Sequence, residues 1–71
     1  MTEQQKKDRD VFTTLWYIIR DSDPSVIPNP TARWEHLLGM GEDIGKRYPE
    51  FRTTIADVLM KIENREKRGQ K

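Results

Sequence analysis

Few residues in this sequence have types and spacings that could do chemistry. The chain holds one histidine, His36, two serines and no cysteine. General acid–base or nucleophilic catalysis needs a positioned donor–acceptor set in a concave site, and this inventory is thin. At about 100° per residue His36 projects opposite Trp34, Leu37 and Leu38, which places it in water rather than in a pocket. Asp21-Ser22-Asp23 opens like a calcium loop, but Val26 stands where the loop needs glycine and Ala32 where it needs the bidentate glutamate. No phosphate-cradling glycine loop, pair of metal-binding histidines or Gly-x-Ser-x-Gly elbow occurs. The expectation is a chain that is not an enzyme, with no catalytic, metal-binding or cofactor-binding residues and no cofactor, and with little volume for a ligand-sized cavity.

What remains is binding, and two surfaces present themselves. Lys61, Arg65, Lys67, Arg68 and Lys71 stand against Glu63 and Glu66 at the carboxyl end, making a basic tail. A nucleic-acid regulator could use Lys61, Arg65, Lys67 and Arg68 on phosphates, with Arg52, Thr53 and Thr54 as groove readers in a helix-turn-helix. Against it, two glutamates interrupt the tail, Glu50 and Asp57 flank Arg52, the net charge is only +1, and the Tyr48-Pro49 corner lacks a glycine turn. Protein binding is the preferred expectation. Tyr17 lies on the polar side of its helix and Met60 opposite Ile62, so both are partner-contact candidates. If part of the first helix stays uncovered, Phe12, Trp16 and Ile19 become the anchors for a docked protein or a homodimer.

The elements that must position these side chains are helical. Val11, Phe12, Leu15, Trp16, Ile18 and Ile19 fall within a sector of about 160°, wide enough for two neighbouring helices. Thr2 with Gln5 has capping-box spacing, so helix one spans about residues 3–21, its wholly polar start expected to fray through residues 1–8. Asp21-Ser22-Asp23-Pro24 ends it. Pro24, Pro28 and Pro30 stiffen the connector that follows, and Asp23-Pro24 could open a single helical turn. Val26 and Ile27 are expected to cap one end of the core.

Asn29-Pro30 reads as an N-cap followed by proline at the first helical position, starting helix two at about residues 30–47. Trp34, Leu37, Leu38, Gly41, Ile44, Gly45 and Tyr48 share one face. Gly39, Gly41 and Gly45 each cost about 1 kcal/mol relative to alanine. Either the two on the apolar side admit a close neighbour such as Trp16 or a partner backbone, or the helix breaks at Gly39-Met40-Gly41. Pro49 opens helix three, about residues 49–67, on which Phe51, Ile55, Val58, Leu59 and Ile62 form a stripe. Asp57 with Lys61 and Glu63 with Lys67 have ion-pair spacing, and residues 68–71 are expected to be loose.

The fold class expected is therefore all-α, a small three-helix bundle with a proline-rich connector between helices one and two, in a single domain over 1–71. Stability should be thin, because so short a chain buries only about 60% of its unfolded surface. The lack of cysteine suits a reducing cytoplasm. Leu15-Trp16-Tyr17-Ile18-Ile19 is far short of the roughly 20 apolar residues a membrane span needs, and no apolar signal-peptide core is expected at the amino terminus.

Leu15-Trp16, the proline-rich connector, Arg33-Trp34-Glu35, Lys46-Arg47-Tyr48-Pro49 and the closing Glu63-Asn64-Arg65-Glu66-Lys67 resemble, in that order, small helical proteins encoded by prophages and integrative elements of Gram-positive bacteria. The likeness covers most of residues 9–68, with one tryptophan at the second helix where such proteins would show two. It implies an accessory role, for example stoichiometric inhibition of a host or defence protein, and carries over no functional residue.

Overall fold

The computed structural model describes residues 1–69, and side chains as far as Lys67. Three helices follow one another: α1 (Glu3–Asp21), α2 (Pro30–Arg47) and α3 (Arg52–Gly69), with the short 3-10 turn Pro49–Phe51 before the last. The fold is all-α, with the proline-containing connector between α1 and α2.

Local chemistry explains the helix ends. The Thr2 hydroxyl accepts from the Gln5 N–H at 3.1 Å while the Gln5 side chain accepts from the Thr2 N–H at 2.9 Å, a closed capping box. The polar first turns of α1, expected as its loosest part, are thus regular helix from Glu3. At the other end the Ser22 hydroxyl donates to the Ile19 carbonyl at 2.6 Å, and the Ser22 N–H closes the last turn. Val26 N–H to Asp23 carbonyl at 2.9 Å forms the single turn inside the connector. Asn29 caps α2 by accepting from the Ala32 N–H at 3.0 Å, and Pro30 sits where a missing N–H costs nothing. Tyr48 leaves helical geometry at φ −132°, ψ 77°, as a residue before proline tends to. Pro49 consequently opens a 3-10 turn, and the α-helical part of α3 begins at Arg52 rather than at residue 49.

The core draws on every helix: Val11, Leu15 and Ile18 from α1, Leu37 and Ile44 from α2, Ile55 and Ile62 from α3. Trp34, Met40, Tyr48, Phe51, Val58 and Leu59 pack around it, half-buried. α2 runs along both other helices, whereas α1 and α3 touch over a short stretch. The radius of gyration is 12.9 Å, against about 11 Å for a compact globule of this length. The excess reflects an elongated bundle measuring 45 × 19 × 18 Å.

Several expectations are corrected. α2 is continuous through Gly39, Gly41 and Gly45, so the break does not occur. None of these glycines has positive φ, so dihedral freedom is not the reason for them, and only at Gly41 is space short. The close neighbour is not Trp16. A Cβ on Gly41 would lie 3.1 Å from Leu59 Cδ1 and 3.2 Å from Ile55 Cγ2, both on α3, while nothing lies within 4 Å of one on Gly39. Leu38, assigned to the apolar face, is 53% exposed, because α3 meets α2 along the Gly41–Gly45 side of that face. Val26 does not cap the core but stands exposed on the connector. Lys67 pairs with Glu63 at 3.2 Å, but among the described residues no ion pair joins Asp57 to Lys61.

Candidate functional site

The candidate site is an open groove between α1 and α3, closed at one end by the connector. It exists because α2 separates the two helices and their direct contact is short. Its floor is Ile19, Val58 and Ile62. Trp16 and Val26 stand along its α1 and connector side, and Lys61 and Arg65 along its α3 side. The larger part holds about 760 Å³ as an open surface cleft and not an enclosed cavity.

Phe12, Trp16 and Ile19 line up on α1 at i, i+4 and i+7; Trp16 and Ile19 line the groove, while Phe12 stands one turn before it, beside Phe51. They are 55%, 58% and 40% exposed. Phe12 is steadied by an edge-on contact with Phe51, ring centres 6.3 Å apart, leaving its outer face bare. The buried half of the 160° sector, Val11, Leu15 and Ile18, faces the core.

The other two partner candidates stand apart from this strip. Tyr17 is exposed on the far side of α1, its ring covered by the Arg20 guanidinium at 4.7 Å, a cation–π contact. Met60 is exposed at the α2–α3 seam, beside Leu38, Ala56 and Leu59. The apolar residues that sequence reasoning missed are Val26 and Leu38, and only their exposure sets them apart from core residues.

Nor does the structure gather the nucleic-acid candidates into one stripe. Arg52 is turned to α2, its Nε donating to the Gly45 carbonyl at 3.4 Å. Lys67 is taken by Glu63 and lies roughly 120° around α3 from Lys61. Lys61 and Arg65 share the groove, and the Arg68 side chain and Lys71 lie outside the described residues.

Two polar clusters pin the groove's frame. Arg33 is 5% exposed, and its guanidinium donates to Glu66 Oε1 at 3.0 Å from Nε, with Nη2 at 2.9 Å. Its Nη1 donates to the Ile27 carbonyl at 2.9 Å, and Trp34 Nε1 donates to Glu66 Oε2 at 2.8 Å. This clamp ties the start of α2, the connector and the end of α3. Sequence reasoning missed it, and no local signal could have revealed partners 33 residues apart.

The second cluster joins α1 to α2. Asp21, buried, accepts from Arg20 Nε at 2.9 Å and lies 2.8 Å from His36 Nε2. The imidazole must donate there, since an ionised carboxylate only accepts. Hydrogen bonds from Arg20 and then His36 hold the Asp21 carboxyl below its ordinary value. His36 is therefore exposed, as expected, but partnered. The neighbouring Ser22 hydroxyl donates to the Ile19 carbonyl, not to His36. Midway along α1 the Tyr48 hydroxyl donates to Asp10 Oδ2 at 2.8 Å, which raises the phenol above its usual range.

No protein-family model matches this chain, and neither the curated proteins nor the solved structures it was compared with gave a match. No helix among the described residues is long and apolar enough to cross a membrane.

Proposed function

We propose that this chain is a non-enzymatic protein-binding module that acts in the cytoplasm by stoichiometric docking of a protein partner on the exposed strip of α1. The observation that carries the reading is the exposure of Phe12, Trp16 and Ile19, at 55%, 58% and 40%, the latter two lining an open groove. Burying a large apolar side chain is worth about 1.5–3 kcal/mol, and this small polar chain leaves three in a row in water on one helix. Tryptophan is also the side chain most enriched among residues that dominate interface energetics. The only His–Asp pair, His36 with Asp21, has no hydroxyl hydrogen-bonded to the imidazole among the described residues, which favours binding over hydrolysis. In keeping with the resemblance to proteins of mobile elements, the partner proposed is a host or defence protein.

The alternative, a nucleic-acid regulator, finds less support, because Arg52 is turned to α2 and Lys67 to Glu63, away from the face that Lys61 and Arg65 share. The experiment is capture from the native host with the whole chain, with Trp16→Ser and with Phe12→Ser. A partner retained by the parent and by Tyr17→Ser and Met60→Ser, but lost with the two α1 variants, is the expected result. Equal capture by all variants refutes the assignment to α1, and retention of nucleic acid that weakens steeply with salt favours the alternative.

A further inference from the structure

The groove has a length, a depth and a charge, and together they specify an occupant. Val58 to Arg65 spans about 10 Å of α3, and Trp16 to Arg20 about 6 Å of α1, at 1.5 Å per residue. That is about two helical turns on the α3 wall and one on the α1 wall, which Val26 extends. The gap lies between two neighbouring helices whose direct contact is short, so a further helix laid into it would complete a four-helix arrangement by ordinary side-chain interdigitation. A strand would leave its backbone donors and acceptors unmatched there, since no sheet edge is on offer.

Charge narrows the choice. Arg20 lines the α1 wall and Lys61 and Arg65 the α3 wall. Among the described residues neither Lys61 nor Arg65 is in an ion pair, whereas Arg20 is matched by Asp21 at 2.9 Å and Arg33 by Glu66. Asp23, on the connector side, stays an anion while accepting from the Ser25 N–H at 2.8 Å. The unpaired positive charge therefore lies along the α3 wall, where Lys61 and Arg65 stand beside an apolar floor. A second copy seated face to face would present this same face, which brings further unpaired Lys61 and Arg65 and so matches the α3 wall less well than an acidic segment does.

We propose that the α1–α3 groove is the seat of an amphipathic helix from another protein, with an apolar face for Trp16, Ile19 and Val58 and acidic residues along the edge that meets Lys61 and Arg65. This rests on the protein-binding reading and adds the chemistry of the partner segment. Such a helix docks through anchors at i, i+3 or i+4, and i+7, while its acidic edge speeds encounter and fixes its register.

The test uses the full chain and a displayed library of 18-residue helices. Leucine or phenylalanine is fixed at the anchor positions, and each flanking position is drawn from glutamate, lysine, glutamine and serine. Glutamate should be enriched over lysine at the flanks by tenfold or more, and binding of a selected peptide should weaken as salt rises. The double variant Lys61→Glu/Arg65→Glu, altered at exposed positions, should reverse that preference, and Trp16→Ser should abolish selection. Enrichment of lysine, indifference to flank charge, selection that survives Trp16→Ser, or a chain that sediments as a dimer with Trp16 buried would each overturn the inference. A host protein captured through Trp16 while the library shows no acidic preference would sink the inference and leave the protein-binding reading standing. Loss of both would sink the two together.

Discussion

Alanine substitution of the three α2 glycines separates backbone cost from packing need. In a helix interior alanine is favoured over glycine by about 1 kcal/mol. At Gly39 nothing lies within 4 Å of the new methyl, so the whole gain should appear, raising the melting temperature by about 4–8 °C for a domain this size. At Gly45 the methyl would meet Arg52 Cγ at 3.6 Å and Ile55 Cδ1 at 3.9 Å, ordinary contact distances, and a similar gain is expected.

Gly41 should differ in sign. Its methyl would sit 3.1 Å from Leu59 Cδ1 and 3.2 Å from Ile55 Cγ2, a few tenths of an ångström inside van der Waals contact. The Leu59 methyl can swing away, but Ile55 Cγ2 is carried directly on Cβ of a stiff, buried side chain and moves only with α3. Overpacking costs about 1–3 kcal/mol, so subtracting the propensity gain leaves Gly41→Ala between roughly neutral and 2 kcal/mol less stable than the parent. Urea unfolding followed by far-ultraviolet circular dichroism gives all three values on one scale. A Gly41→Ala protein as strongly stabilised as Gly39→Ala would refute the claim that Gly41 exists to let α3 approach α2.

Other outcomes follow from the same contacts. Glu66→Ala strips the buried Arg33 of its carboxylate and should cost about 3–5 kcal/mol in urea unfolding, whereas Arg33→Met with Glu66→Leu should recover much of that; a single-variant cost under about 1 kcal/mol would contradict the clamp. Because the Asp21 carboxyl is held below its ordinary value, its contribution is fully present above the unfolded-state value and is lost as pH falls through the folded-state value. Stability should therefore drop on acidification below about pH 4, and Asp21→Asn should be less stable at neutral pH and less sensitive to acid, the remaining sensitivity including Asp23, which is also depressed by the Ser25 N–H. Trp16→Ser should cost no more than about 1 kcal/mol, while Ile18→Ala, at a fully buried position, should cost about 2–5 kcal/mol; thermal unfolding of the pair checks that the strip serves something other than the core.

The helices themselves were legible because their causes are local. Thr2 with Gln5, Asn29 with Pro30, and the halt at Asp21 to Pro24 act within one turn, and the stripes of α1 and α3 need only the helical period. The corner after Tyr48 was legible only in part. A proline marks a boundary, but whether the next turn is α or 3-10 depends on how Phe51 packs between Phe12 and the core.

The sequence alone settled that α1 carries more apolar surface than one neighbour can cover, since a sector of about 160° follows from spacing. It could not say which part stays bare. Phe12, Trp16 and Ile19 lie outward, and Val11, Leu15 and Ile18 inward, because α2 occupies one side of α1 and α3 reaches only the margin of the other. That placement depends on contacts distant in sequence: Gly41 admitting Ile55 and Leu59, and Arg33 holding Glu66. Burial of a helix face is decided by where its neighbours lie, and that is information no single helix contains.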